Sequence, residues 1–204
     1  MRTLIILFCL LLIGCGQKKT PSKGVDVSYH NKLTNSDWKK LKSRNVKFVY
    51  IKATEGATHK DRMLFSHYKK AKKHNMYVGA YLFFRDNVSA KRQFNNYKEA
   101  VNGMNFDLLP CIDYEKEGFR RNFKTRIKIL KQLNALFVKH YNVRPVIYCD
   151  LANYSKIKPF LPHNVYWISA SSPDVGIGSI KQSIGRVNGK RLDFNKGNLS
   201  DIMQ

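Results

Sequence analysis

The sequence predicts an α/β protein, a modified TIM-like (β/α) barrel with about eight strands and five helices. Three observations carry this. Strand-like runs alternate with helical runs along most of the chain, which implies parallel strands joined by right-handed crossovers. The strand-like runs number about eight, enough to close a barrel. At 204 residues the chain is shorter than the ~250 residues of an ordinary (β/α)8 barrel, and its last third carries little helix. The composition agrees: 43% apolar and 12% aromatic residues supply a core for one domain, which excludes a disordered chain. Neither a Gly/Pro excess nor a repeat of about 20–50 residues is present, which excludes fibres and solenoids.

The elements follow in order. Gly24–Ser28 (GVDVS) is a short strand, and Ser36–Arg44 a helix capped by Ser36 or Asp37. Val46–Lys52 (VKFVYIK) is rich in β-branched and aromatic residues, which favour strand. Asp61–Asn75 is a helix with Met63, Leu64, Tyr68 and Ala71 on one apolar stripe. Tyr77–Phe84 is a strand, Ser89–Asn102 a helix ended by Gly103, and Leu108–Glu115 a strand. Arg121–Tyr141 is the longest helix, with Ile127, Leu130, Leu133, Leu136 and Phe137 spaced for one face. Pro145–Cys149 is a strand and Leu151–Ile157 a helical turn. Asn164–Ser169, Ile177–Ser183 and Arg191–Phe194 complete the strands.

Residues 1–14 stand apart. Met1-Arg2 is a short positive start, and Thr3 to Ile13 an apolar run too short to span a membrane but suited to a signal peptide. The run closes on Leu12-Ile13-Gly14-Cys15, which resembles the bacterial lipoprotein box. The expected mature chain therefore begins at a lipidated Cys15, followed by a short polar tether to residue 22. Loss of residues 1–14 removes only Arg2 from the basic residues, so 36 cations against 14 acids leave +22. Such a charge attracts polyanions, and export makes an anionic wall or lipid a better partner than nucleic acid. Lysines that merely solvate helix faces account for much of it. Cys111 and Cys149 sit in apolar strand-like runs, not in a metal-spaced pair, and alternation places them on opposite faces, against a disulfide. Six scattered histidines form no HExxH, so no metal and no cofactor is expected. Nothing in the pattern calls for an oligomer, and a monomer is expected.

Acids are scarce, so their positions are informative. Asp26, Glu55, Asp113, Glu115 and Asp193 fall at or just after strands. Asp113 and Glu115 are two apart, so on a strand they share a face. Two carboxyls held together can divide into one neutral acid and one ionised partner, as glycoside hydrolysis requires. On its own this pair fits solvated acids or a metal site equally well; acids at four separate strand ends strengthen the cluster. Tyr50, Tyr81, Phe83, Tyr114, Tyr148 and Trp167 interleave with them. Aromatic faces pack on the C–H faces of sugars, and Tyr81, Tyr148 and Trp167 are the candidates for that role.

GVDVS at 24–28, FVYIKATEG at 48–56, GAYLFF at 79–84, CIDYE at 111–115, PVIY at 145–148, YWISA at 166–170 and LDFN at 192–195 occur in this order. On these motifs the chain is identified as a member of glycoside hydrolase family 25, the Chalaropsis-type lysozymes, over roughly residues 22–200. The resemblance implies a barrel of eight strands and five helices over residues 23–204. It implies an N-acetylmuramidase that cleaves the β-1,4 bond between N-acetylmuramic acid and N-acetylglucosamine in peptidoglycan. It carries four active-site acids onto Asp26, Asp113, Glu115 and Asp193, with Glu115 as general acid and Asp113 as its electrostatic or orienting partner. Asp26 and Asp193 then hold the pair and the sugar. Tyr81, Phe83, Tyr148, Trp167 and Gln182 are placed as substrate-binding residues, with Glu55 in a supporting role.

The chain departs from the family pattern in three places. The usual Tyr-His-Phe is Tyr81-Leu82-Phe83, and by alternation Leu82 points away from the other two. The usual Trp-Gln-Tyr-Ser is Lys181-Gln182-Ser183, so a wall aromatic is missing and Lys181 is left to meet an anionic substrate. The usual Trp-Ile-Ala-x-Tyr is Trp167-Ile168-Ser169-Ala170-Ser171, without the Tyr. These changes bear on subsite affinity more than on chemistry. The alternatives to an active, lipid-tethered muramidase are a non-catalytic peptidoglycan-binding barrel and a basic polyanion-binding module.

Overall fold

The computed structural model describes residues 21–169 and 180–204. The signal segment, Cys15 and most of the tether lie outside the described residues, as do Ala170, Ser171 and the start of the strand expected from Ile177.

Eight strands close a ring. β1 (Ser22–Val27), β2 (Val46–Glu55), β4 (Tyr77–Phe83), β5 (Cys111–Asp113), β6 (Val146–Cys149), β7 (Tyr166–Ile168), β8 (Ile180–Val187) and β9 (Lys190–Gly197) form one sheet. Its order is β1-β9-β8-β7-β6-β5-β4-β2, and β1–β2 pairing closes it. All neighbours are parallel except β9, which runs antiparallel to both β8 and β1. A two-residue β3 (His59–Lys60), absent from the sequence expectation, pairs with the end of β2. Among the described residues five helices lie between strands: α1 (Asn35–Ser43), α2 (Leu64–Lys73), α3 (Ala90–Ala100), α4 (Phe123–Tyr141) and α5 (Leu151–Ile157).

Side-chain alternation divides the molecule into two cores. Val25, Val49, Ile51, Ala80, Leu82, Ile112, Ile147 and Ile168 face outward and are buried against the helices. From α4 the buried residues on that layer are Ile127, Leu130, Leu133 and Phe137. Phe48, Tyr50, Cys111, Val146, Trp167 and Ile180 face inward and fill the barrel. Each large side chain so buried contributes roughly 1.5–3 kcal/mol. Two glycines make room for the interior rings: a Cβ on Gly24 would lie 2.2 Å from the Phe48 ring, and one on Gly79 2.5 Å from the Tyr50 ring. Cys111 is interior and Cys149 is in the outer layer, and both are free thiols.

Two local expectations are corrected. The cap of α1 is Thr34; Asp37 is the third residue of a capping box, its side chain bonding back to the Thr34 backbone. The last strands are longer than expected and form a hairpin, because Asn188 and Gly189 adopt φ of 48° and 80°. That Asn-Gly pair is a strong hairpin signal. Among the described residues no helix is long and apolar enough to cross a membrane.

Candidate active site

The interior aromatic layer floors a cleft of about 260 Å³ at the C-terminal ends of the parallel strands. β1 contributes Asp26 and, just beyond its end, Ser28. β5 contributes Cys111 and Asp113, and Glu115 follows in extended conformation before a 3-10 turn at Lys116–Gly118. β9 runs the opposite way but pairs Asp193 with Asp26, so its acid arrives at the same end. The fold thus gathers Asp26, Asp113, Glu115 and Asp193, from segments up to 167 positions apart, around one hollow.

Burial raises all four carboxyls. Asp26 is pushed up to about 7, with Asp193 and Glu115 adding to the rise and amide donors from Asn195 and Gln182 opposing it. Asp113 lies well above the usual carboxylate range, through burial and then the charges of Glu115 and Asp26; Lys52 opposes. Glu115 is raised by burial and then by Glu117. Asp193 is raised by burial, against Arg191. The rise that a general acid needs at Glu115 therefore extends to the whole cluster, because four crowded acids in a partly dry cleft resist simultaneous ionisation. The buried Oδ1 of Asp113 has no hydrogen-bond partner among the described residues.

The polar contacts form a chain. Asn195 Nδ2 donates to Asp26 Oδ2 at 2.9 Å, and Gln182 Nε2 donates to the same oxygen at 3.2 Å. The Tyr148 hydroxyl donates to Gln182 Oε1 at 2.9 Å, and its proximity to Glu115 opposes part of the rise of that carboxyl.

The aromatic residues expected at the site all line the cleft: Tyr81, Phe83, Tyr148 and Trp167. Trp167 is only 2% exposed and packs edge-on to Tyr148, ring centroids 4.9 Å apart, so it supports Tyr148 from below more than it offers a free face. Leu82 is buried on the helix side, as alternation predicts. Gln182 lines the cleft and Lys181, its neighbour along the strand, does not.

Glu55 is not brought into the cleft. It follows the register shift between Lys52 and Thr54 and turns to form ion pairs with Lys52, at 2.6 Å, and with Arg85. It reaches the site only through Lys52, which is buried, lines the cleft and stands 4.9 Å from the Phe83 ring centroid. Lys52, Asn195, Ser28 and His30 are the residues that sequence reasoning leaves unassigned. Two of them carry a signal: Lys52 has the same parity as the interior Phe48 and Tyr50, and Asn195 falls two after Asp193. Among the described residues no group of three or more His, Cys, Asp or Glu could hold a metal.

Fold and site together define the class: a barrel glycoside hydrolase. The family model described as glycosyl hydrolases family 25 matches residues 25–173. The chain belongs to glycosyl hydrolases family 25. Among solved structures, a family 25 glycosyl hydrolase from Bacillus anthracis superposes with a TM-score of 0.77 at 28% identity, covering 88% of this chain and 90% of that one. A family 25 lysozyme from Aspergillus fumigatus shares the fold at a TM-score of 0.73 and 24% identity, over 88% and 94% of the two chains. Of curated proteins, Lysozyme M1 of Streptomyces globisporus is 40% identical over 68 residues, 33% of this chain and 22% of that protein. The chain thus spans about a fifth of that relative's length, and 28% of the length of an autolytic lysozyme from Clostridium acetobutylicum to which it is 30% identical.

Proposed function

We propose that this chain is a peptidoglycan muramidase that hydrolyses the β-1,4 bond between N-acetylmuramic acid and N-acetylglucosamine. The observation that carries the reading is the gathering of Asp26, Asp113, Glu115 and Asp193 around one aromatic-walled cleft. Glu115 is the general acid: burial raises its carboxyl above the ordinary glutamate value and so favours the protonated form, and that proton passes to the leaving oxygen as the C1–O bond breaks. Water then adds at C1 and returns a proton to Glu115. Asp113, with a buried oxygen free to accept, orients the 2-acetamido N–H or faces the positive charge that develops at C1. Asp26 and Asp193 hold the pair and the sugar, while Tyr81, Phe83 and Tyr148 supply faces for it. Purified peptidoglycan tests this: wild type should clear its turbidity, and Glu115→Gln should be slower by roughly 10²–10⁴-fold with an unchanged melting temperature. A variant near the wild-type rate overturns the assignment.

The proposed setting is the bacterial cell envelope. Residues 1–14 act as a lipoprotein signal, Cys15 carries lipid, and residues up to 22 tether the barrel of 23–204. The support is Gly14-Cys15 at the close of the apolar run. Cys15→Ser should no longer partition with membranes; persistent partitioning contradicts the tether.

A further inference from the structure

A second hollow, of about 410 Å³, opens beside the cleft and takes no part in the chemistry proposed for Glu115. Its lining includes Glu55, His59, Arg85, Asn87 and Arg120, which come from the ends of β2 and β4 and from just beyond the turn that follows Glu115. Two bridges join it to the cleft. His30, in the cleft wall, packs on Tyr29 with ring centroids 3.9 Å apart, and Tyr29 lies 6.1 Å from the His59 ring of the hollow. The ring of Phe83, also in the cleft wall, has its centroid 4.9 Å from both the Lys52 ammonium and the Arg85 guanidinium.

The hollow carries more positive charge than its own acids offset. Arg85 and Arg120 both donate through Nη1 to one oxygen, the Glu117 carbonyl, at 2.5 and 3.2 Å. Two guanidiniums therefore meet at one point. Glu55 is the carboxylate that faces them, and it is shared between Arg85 and Lys52. Glu117 lends its carbonyl, and its carboxylate forms no ion pair among the described residues. Asp86 is close but buried, and spends both oxygens on the backbone N–H groups of Arg120 and Arg121 at 2.6–2.8 Å. That clamp fixes the Arg120 backbone at the hollow. The Arg120 side chain is exposed, engages only Nη1, with the carbonyls of Glu117 and Phe119, and has Nε and Nη2 without a partner among the described residues. A guanidinium with free N–H groups beside a second one suits a carboxylate.

We propose that this hollow is a subsite for the free carboxylates of the peptide stem carried by muramic acid, with Arg120 as its anion-binding side chain. The inference rests on the muramidase reading, which places the muramic acid sugar on the cleft aromatics. The stem leaves that sugar through the lactyl group on O3. At about 3.3–3.6 Å per extended residue, two or three stem residues cover the step from the Phe83 ring to the two guanidiniums. Binding there acts far from the breaking bond, so it lowers KM more than it raises kcat.

The test compares two substrates: soluble peptidoglycan oligomers whose stems carry free carboxylates, and the same oligomers with those groups converted to carboxamides. Wild type should show a KM about fivefold lower for the carboxylate form, the size of one partly exposed ion pair, with similar kcat. Arg120→Gln should bring the ratio of the two KM values close to one. Lys131→Gln, on an exposed face of α4, removes the same charge elsewhere and should keep the wild-type ratio. Equal KM values in wild type overturn the subsite, as does an unchanged ratio in an Arg120→Gln protein that melts like wild type. An equal loss in Lys131→Gln also overturns it, since long-range attraction then accounts for the preference. If Arg120→Gln is unstable, Asn87→Asp sets a like charge at the exposed rim and should cut the ratio; an unchanged ratio there overturns the proposal too. Hydrolysis of neither oligomer by wild type rejects the muramidase reading and the subsite with it, whereas hydrolysis of both at one KM rejects the subsite alone.

Discussion

Asp26 illustrates what the site asks of individual residues. Its carboxyl rises from an ordinary 3.8 to about 7, chiefly by burial. Between those values the folded chain retains a proton that the unfolded chain releases. The group's contribution to stability is therefore full below about pH 4 and is lost as pH rises through 7. Asparagine keeps an acceptor for Gln182 and Asn195 and carries no charge. The melting temperature of Asp26→Asn relative to wild type should accordingly climb between pH 4 and pH 8, by roughly 8–16 °C, the equivalent of about 4 kcal/mol in a chain this size. A constant difference across that range contradicts a buried, proton-holding Asp26. The four acids are legible in the sequence because acids are rare in this chain and fall at strand ends. Lys52 and Asn195 are not, since a lysine or asparagine within a strand reads as ordinary solvated surface until the register shows which face it occupies.

At the scale of elements, Asp37 joins the first helix to the last hairpin. Its carboxylate accepts from the Thr34 backbone N–H at 2.7 Å, the Thr34 hydroxyl at 2.9 Å, Asn188 Nδ2 at 2.8 Å and Lys190 Nζ at 2.6 Å. Burial opposes its charge, but these donors outweigh burial and hold it well below the usual carboxylate range. Asp37→Ala removes the capping box and strands Lys190, and should cost about 2 kcal/mol or more at neutral pH, read by denaturant unfolding. Because the folded value is depressed, that contribution is present above about pH 4 and fades as pH falls below it. The gap between variant and wild type should narrow in acid; a gap that widens there contradicts the assignment. Strand parity follows from the sequence where it matters: Leu82 and Cys149 face the helices, Tyr81 and Cys111 the interior. The hairpin signal at Asn188-Gly189 is present in the sequence too, but the scarcity of helical cues in the last third makes its strands look too short. Glu55 misleads because its motif adjoins the site; the register shift in β2 turns its carboxyl to Arg85.

For the whole molecule, ring closure brings Asp26 beside Asp193 and aligns Tyr148, Gln182 and Asn195 with Glu115. The fold class and the family motifs are legible in the sequence because they are spread along the whole chain. The hydrogen-bond directions are not, since they depend on the registers at which β9 meets both β8 and β1. The basic excess sits on exposed helix faces, at Lys39, Lys40, Lys69, Lys73, Lys98 and Lys131 among others, away from the acidic cleft. That separation lets the surface attract an anionic polymer without cancelling the charges that would act on its glycan. The central claim is that this cleft cuts the glycan on the muramic acid side. The most direct measurement is the identity of the new reducing-end sugar after digestion of purified peptidoglycan, by borohydride reduction and mass spectrometry. The account predicts N-acetylmuramic acid at the new ends with wild type and no new ends above background with Glu115→Gln. Intact glycan with wild type, or N-acetylglucosamine at the new ends, contradicts it.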